Sequence, residues 1–84
     1  MIRVLYFASL RERLGTGSED VELPDGVTDL EGLTGFLARR EGVWKEVFHS
    51  GQPLMMACNQ EAAKPETPVA DGDEIAFYPP VTGG

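Results

Sequence analysis

The order of apolar patterns along the chain predicts an α+β domain, a mixed sheet packed on one main helix. Two strand-like alternating segments precede the longest helical stripe, and two more follow it. The 84 residues leave room for one domain. Hydrophobic residues at 42% and charged residues at 25% match an ordinary globular chain. A domain this small buries only roughly 60–65% of the surface its unfolded chain exposes. A deep enclosed active site would use up much of its core.

Residues 1–8 read as the first strand. Ile2, Val4, Tyr6 and Ala8 share one face, and Arg3, Leu5 and Phe7 share the other. Arg3 turns the second face toward solvent, so Leu5 and Phe7 form an apolar patch outside the core. Ser9 to Leu14 reads as a helical turn with Ser9 as N-cap and Glu12 three residues on, ended by Gly15-Thr16-Gly17. Glu19 to Leu23 is the second strand, with Val21 and Leu23 facing inward, and Pro24-Asp25-Gly26 is a turn. Thr28 and Glu31 make a capping-box pattern at the head of the main helix. Leu30, Leu33, Phe36 and Leu37 then recur at helical spacing. Arg39 and Arg40 suit the negative end of that helix, and Gly42 stops it. Gly32 and Gly35 weaken it by about 1 kcal/mol each relative to alanine, which packing of the apolar stripe must offset.

Val43, Trp44, Val47 and Phe48 suit a short amphipathic turn over one end of the core. Leu54 to Asn59 is the third strand, and residues 60–70 are a Pro-punctuated loop with room for a short strand. Asp71-Gly72-Asp73 is a tight turn into the final strand, Glu74 to Tyr78. Pro79-Pro80 ends it, because proline cannot donate to a ladder. If the first and last strands are neighbours, the unsheltered sheet face carries Leu5, Phe7, Ala76 and Tyr78. The domain then spans residues 1–78, with residues 79–84 as a flexible tail.

The formal net charge is −7, with a pI near 4.5. This argues against nucleic acid held through its phosphates and against anionic membrane surfaces, both of which call for Lys and Arg clusters. It either keeps a small protein soluble or suits a basic partner surface. No apolar run approaches the ~20 residues of a membrane span. Met1 to Tyr6 lacks the features of a signal peptide. Cys58 is the only cysteine, which fits a reducing cytoplasm.

Side-chain chemistry is scarce. His49 is the only histidine, so a His–His metal site is excluded and no metal site is expected. Cys58 sits among Met56, Ala57 and Asn59 and reads as a small core residue rather than a nucleophile paired with His49, itself a surface loop residue. Gly15 to Ser18 lacks the lysine of a phosphate loop, and Asp71 to Glu74 lacks the EF-hand pattern. The tail is different. From Ile75 onward no side chain is charged, and the chain closes Pro79-Pro80-Val81-Thr82-Gly83-Gly84. Four residues past the prolines reach at most ~14 Å. Glycines without Cβ atoms can thread a narrow channel, and uncharged side chains cost little to desolvate there. A carboxylate is a poor electrophile. Carrying a group on Gly84 would require activation, for instance as an acyl-adenylate made from ATP, which sulfur could displace to leave a thiocarboxylate. The bland alternative is a terminus that merely ends in two glycines.

The run Asp71-Gly72-Asp73-Glu74-Ile75-Ala76-Phe77-Tyr78-Pro79-Pro80-Val81-Thr82-Gly83-Gly84 closely resembles the C-terminus of molybdopterin synthase small subunits. Met1 to Ala8 with Leu10-Arg11-Glu12 resembles that family's first strand and turn. Asn59-Gln60-Glu61 fits its third-strand exit, and residues 27–53 are only generically similar. The resemblance implies a ubiquitin-like β-grasp fold and a sulfur carrier in molybdenum cofactor synthesis. Gly84 would be adenylated by a ubiquitin-activating-type enzyme using ATP, then thiocarboxylated from a sulfur donor enzyme. The tail, Pro79 to Gly83, would insert into the large synthase subunit, where sulfur passes to cyclic pyranopterin monophosphate. That subunit would hold the catalytic side chains, and this chain would bind no cofactor. Phe7 and Tyr78 occupy the family's partner-docking positions. Tyr78 stands where phenylalanine is frequent, and Cys58 where an aliphatic residue is usual. The alternatives are a thiazole-pathway sulfur carrier, a ubiquitin-like protein modifier, or a binding module without tail chemistry.

Overall fold

A computed structural model describes residues 1–49 and 54–80. Among these described residues, five strands and three helices follow in the order β1 (Ile2–Tyr6), α1 (Ser9–Leu14), β2 (Ser18–Val21), α2 (Leu30–Ala38), α3 (Val43–Phe48), β3 (Met55–Cys58), β4 (Glu61–Ala63) and β5 (Glu74–Tyr78). The strands form one mixed sheet in the order β2-β1-β5-β3-β4. β1 and β5 lie parallel at its centre, and the other pairs are antiparallel. This is the expected α+β architecture, with the first and last strands adjacent.

Alternation decides which face is covered. Ile2, Val4 and Tyr6 of β1 and Ile75 and Phe77 of β5 are buried against Leu30, Leu33 and Leu37 of α2 and Val47 and Phe48 of α3. Those α2 leucines recur at three- and four-residue spacing, so they line one side of the helix. The expected turn over residues 43–51 is a full helix, α3, through Phe48. Its Phe48 ring meets Phe77 edge-on at 5.1 Å, and Trp44 meets Tyr6 at 5.5 Å. The short strand in the 60–70 loop is β4. Asn59 and Gln60 form the hairpin loop before it, both with positive φ, as a type I′ turn requires.

Several boundaries differ from the sequence expectation. Ser9 is the first residue of α1, not its cap; Ala8 takes the cap position with φ 53° and no side-chain hydrogen bond. Strand β1 ends at Tyr6, although the Phe7 N–H still donates to Phe77 O. Asp29, not Thr28, caps α2, its carboxylate accepting the Gly32 N–H at 2.8 Å. Thr28 is engaged elsewhere: its carbonyl accepts the Val69 N–H, and Asp29 bridges to Pro68. That long-range pairing holds the chain extended one residue longer than the local pattern suggests. Leu23 lies beyond β2, which ends at Val21.

Candidate functional site

The face of the sheet away from the helices is open. On its central strands it carries Arg3 and Leu5 of β1, Glu74, Ala76 and Tyr78 of β5, and Met55 and Ala57 of β3, with Phe7 just past β1. The four docking residues expected from alternation therefore do lie together on one face. Phe7 is 47% exposed, whereas Leu5, Ala76 and Tyr78 are half-buried. Charge and apolarity separate along this face. Arg3, Asp20 and Glu74 occupy the end where β1 begins. Phe7, Tyr78 and Met55 form a row across three strands at the end where β5 runs into Pro79.

Met55 is the residue that sequence reasoning missed. It is 42% exposed and stands directly opposite Tyr78 in the ladder. Its apolarity and its strand parity were visible. The pairing of β3 with β5, which brings it beside Tyr78, has no local signal. Pro79 and Pro80 are half-buried at the end of this row. Val81, Thr82, Gly83 and Gly84, the rest of the expected tail site, lie outside the described residues.

On the covered face of the sheet, a polar group ties β1 and β2 to the connection between α2 and α3. Arg40 donates two hydrogen bonds to the Glu19 carboxylate, at 2.8 and 3.0 Å. The Tyr6 hydroxyl donates a third to Glu19 at 2.8 Å. The Arg40 guanidinium also lies 4.5 Å from the Trp44 ring centre. Arg40 thus neutralises a strand carboxylate rather than the end of α2, which closes at Ala38. The Arg40 hydrogen bonds hold Glu19 below the usual carboxylate range, against the opposing effect of burial. Burial first, and then the bond to Glu19, pushes the Tyr6 phenol far upward, so it stays a neutral donor.

Cys58 faces the helical side at the rim of the core, packed against it as expected of a small core residue. Burial, followed by Asp73 and Glu61, pushes its thiol up. A thiol so placed is a weak nucleophile. Asp73 instead holds the hairpin: it accepts from the Asn59 side chain at 3.1 Å and from the Ala70 N–H at 2.9 Å, which lowers its pKa. His49 is an exposed residue closing α3. Among the described residues no three His, Cys, Asp or Glu side chains gather as metal ligands, and no helix is long and apolar enough to cross a membrane.

In comparison with known proteins, the model of the ThiS family matches residues 4–84. The chain belongs to the ThiS family. Over all 84 residues it is 39% identical to the molybdopterin synthase sulfur carrier subunit of Escherichia coli (strain K12), covering 100% of both chains. Its fold is that of the small archaeal modifier protein 1 of Haloferax volcanii, at a TM-score of 0.74 and 25% identity, over 95% of this chain and 97% of that one. It also matches a chain in the complex of subunits 1 and 2 of the Helicobacter pylori molybdopterin-converting factor, with TM-score 0.64 and 26% identity over 99% and 97% of the two chains. The ubiquitin-like β-grasp expected from the resemblance is thus the fold of this ThiS-family chain.

Proposed function

We propose that this chain is the sulfur carrier subunit of a molybdopterin synthase and that Gly84 is its working group. The observation that carries this reading is full-length similarity to a carrier of that name, beside the uncharged run from Ile75 onward in this chain. An adenylating enzyme would join the Gly84 carboxylate to the α-phosphorus of ATP, with pyrophosphate leaving. The terminal sulfur of a donor persulfide would then attack the acyl carbon and expel AMP. A second thiol would then attack the donor cysteine's sulfur, form a disulfide with it and release the thiocarboxylate. The Phe7–Tyr78–Met55 row would seat the domain on the large synthase subunit while the tail delivers sulfur to the pterin precursor. This division of labour accounts for the scarcity of catalytic side chains, and the chain would meet the enzymes that load it in the cytoplasm.

Intact-protein mass spectrometry after incubation with ATP, the activating enzyme and a persulfide donor tests the chemistry. The expected product carries sulfur in place of one oxygen, localised to Gly84. Deleting Gly84 should abolish both loading and sulfur transfer while leaving the melting temperature unchanged. A variant without Gly84 that still supports molybdopterin formation would refute the proposal. Similarity to a modifier protein favours a second reading, isopeptide attachment of Gly84 to lysines of other proteins. Tryptic peptides bearing a Gly-Gly remnant on lysine would reveal it.

A further inference from the structure

The backbone of β2 faces two ways. The Tyr6 N–H donates to the Gly17 carbonyl at 2.9 Å, so these two residues form a hydrogen-bonded pair. In an antiparallel ladder such pairs alternate with pairs whose backbone groups turn away from each other. The register Ile2↔Val21, Arg3↔Asp20, Val4↔Glu19 and Leu5↔Ser18 therefore points Glu19 and Val21 at β1 and directs the backbone groups of Ser18 and Asp20 outward. β2 is the last strand on its side of the sheet. The Ser18 carbonyl takes the Thr16 hydroxyl at 3.0 Å, but the Asp20 N–H and carbonyl have no partner among the described residues.

A groove runs beside this edge. Leu23, just past β2, and Phe36 of α2 pack on the core yet stay half-buried, and both line the groove. Asp20, Glu22 and Asp25 border it and are exposed. Cations offset part of this charge: Arg3 lies 3.4 Å from Asp20, and Arg40, which also borders the groove, is held by Glu19 at 2.8 Å. Glu22 and Asp25 have no ion-pair partner among the described residues. The groove therefore keeps uncompensated negative charge next to unpaired backbone groups and a half-buried apolar floor.

We propose that the β2 edge takes up an extended segment of another protein in which apolar and basic residues alternate. The segment pairs its backbone with Asp20 and so adds a strand to the sheet. Successive side chains of a strand point to opposite faces. Those on the covered side rest on Leu23 and Phe36, and those on the other side meet Asp20 and Glu22. A second copy of this chain is a poor occupant, because pairing β2 with itself would bring Asp20 and Glu22 against their own like charges. Net charge alone asks only for a basic partner. The edge adds that partner's conformation and its two-residue period. This surface is separate from the Phe7–Tyr78–Met55 row and does not depend on the carrier reading.

The test is an NMR titration of the isotope-labelled full chain with the acetylated, amidated peptide Lys-Val-Lys-Val-Lys-Val-Lys. Amide shifts should concentrate in residues 18–25 and at Phe36, and hydrogen exchange of the Asp20 amide should slow. The same peptide with Glu in place of Lys should bind about 10-fold more weakly or worse. Glu22→Lys combined with Asp25→Lys should weaken binding of the basic peptide by about 5-fold at low salt, and the effect should shrink as salt rises. Asp20→Pro removes an N–H that faces outward, a place where an edge strand tolerates proline, and should weaken binding by about 10-fold. Asp20→Asn keeps that N–H and should weaken it by less than about 3-fold. Thermal melts confirm that each variant is folded; if the proline variant is not, the paired lysine variant and the two peptides decide. No binding at millimolar peptide, equal affinity for the two peptides, or shifts centred on Phe7, Met55 and Tyr78 would overturn the inference. None of these results bears on the carrier reading, which deletion of Gly84 tests separately.

Discussion

Tyr6 and Phe7 are neighbours in sequence and opposites in the fold. Tyr6 is 1% exposed, ringed by Trp44, Phe48 and Phe77, whereas Phe7 is 47% exposed on the open face. Phe77 and Tyr78 repeat the contrast on β5, where Phe77 is buried and Tyr78 half-buried. One side of the sheet is a packed core and the other is open, and a two-residue period writes both into the same strands. Aromatic content therefore says little about role in this molecule; strand parity says much more.

That contrast can be broken or sharpened by substitution. Phe77→Ala empties a ring-sized space among Tyr6, Phe48 and Met56, and should cost about 3–5 kcal/mol in a urea titration. Phe7→Ala should cost less than about 1 kcal/mol in the same experiment, since the ring is half in solvent. It should weaken binding to the large subunit by about 2 kcal/mol, roughly 30-fold by calorimetry. Equal losses of stability from the two alanines would erase the distinction between the faces.

Arg40→Ala removes a two-bond ion pair and a ring contact, both partly exposed, and should cost about 1–2 kcal/mol. The pH dependence has a definite sign. Because Glu19 is held below its ordinary value of 4.5, its contribution is fully present above that pH and disappears as pH falls through the lower folded value. The melting-temperature gap between the native chain and Glu19→Gln should therefore narrow on acidification below about pH 4.5. A gap that widened with acid would show that Glu19 is not held by Arg40. The smallest effect is expected at Gly35, where an added methyl meets nothing within 4 Å. Gly35→Ala should raise stability by about 0.5–1 kcal/mol. Gly32 is a poorer place for the same change, since its methyl would stand 3.3 Å from the capping Asp29 oxygen.

Much of this fold is legible residue by residue. Alternation in Ile2–Tyr6 and Glu74–Tyr78 identifies the central strands and their inner faces. Spacing among Leu30, Leu33 and Leu37 identifies the main helix. Proline and the uncharged run after Ile75 single out the tail. The errors cluster where distant chain segments compete with local rules. Thr28 carries a good capping pattern, yet Val69 claims its carbonyl and the cap falls to Asp29. Arg40 looks like a partner for a helix end, yet a strand carboxylate 21 residues earlier takes it.

By itself the sequence determined which residues alternate, which recur at helical spacing and where the chain is neutral, because these patterns lie within a few bonds of one another. Only the tertiary structure decided that β5 lies between β1 and β3. That order sets Met55 beside Tyr78 and leaves β2 at an edge of the sheet. The physical reason is that strand pairing joins residues far apart along the chain through backbone hydrogen bonds, which every residue but proline can make and which leave no mark in side-chain order.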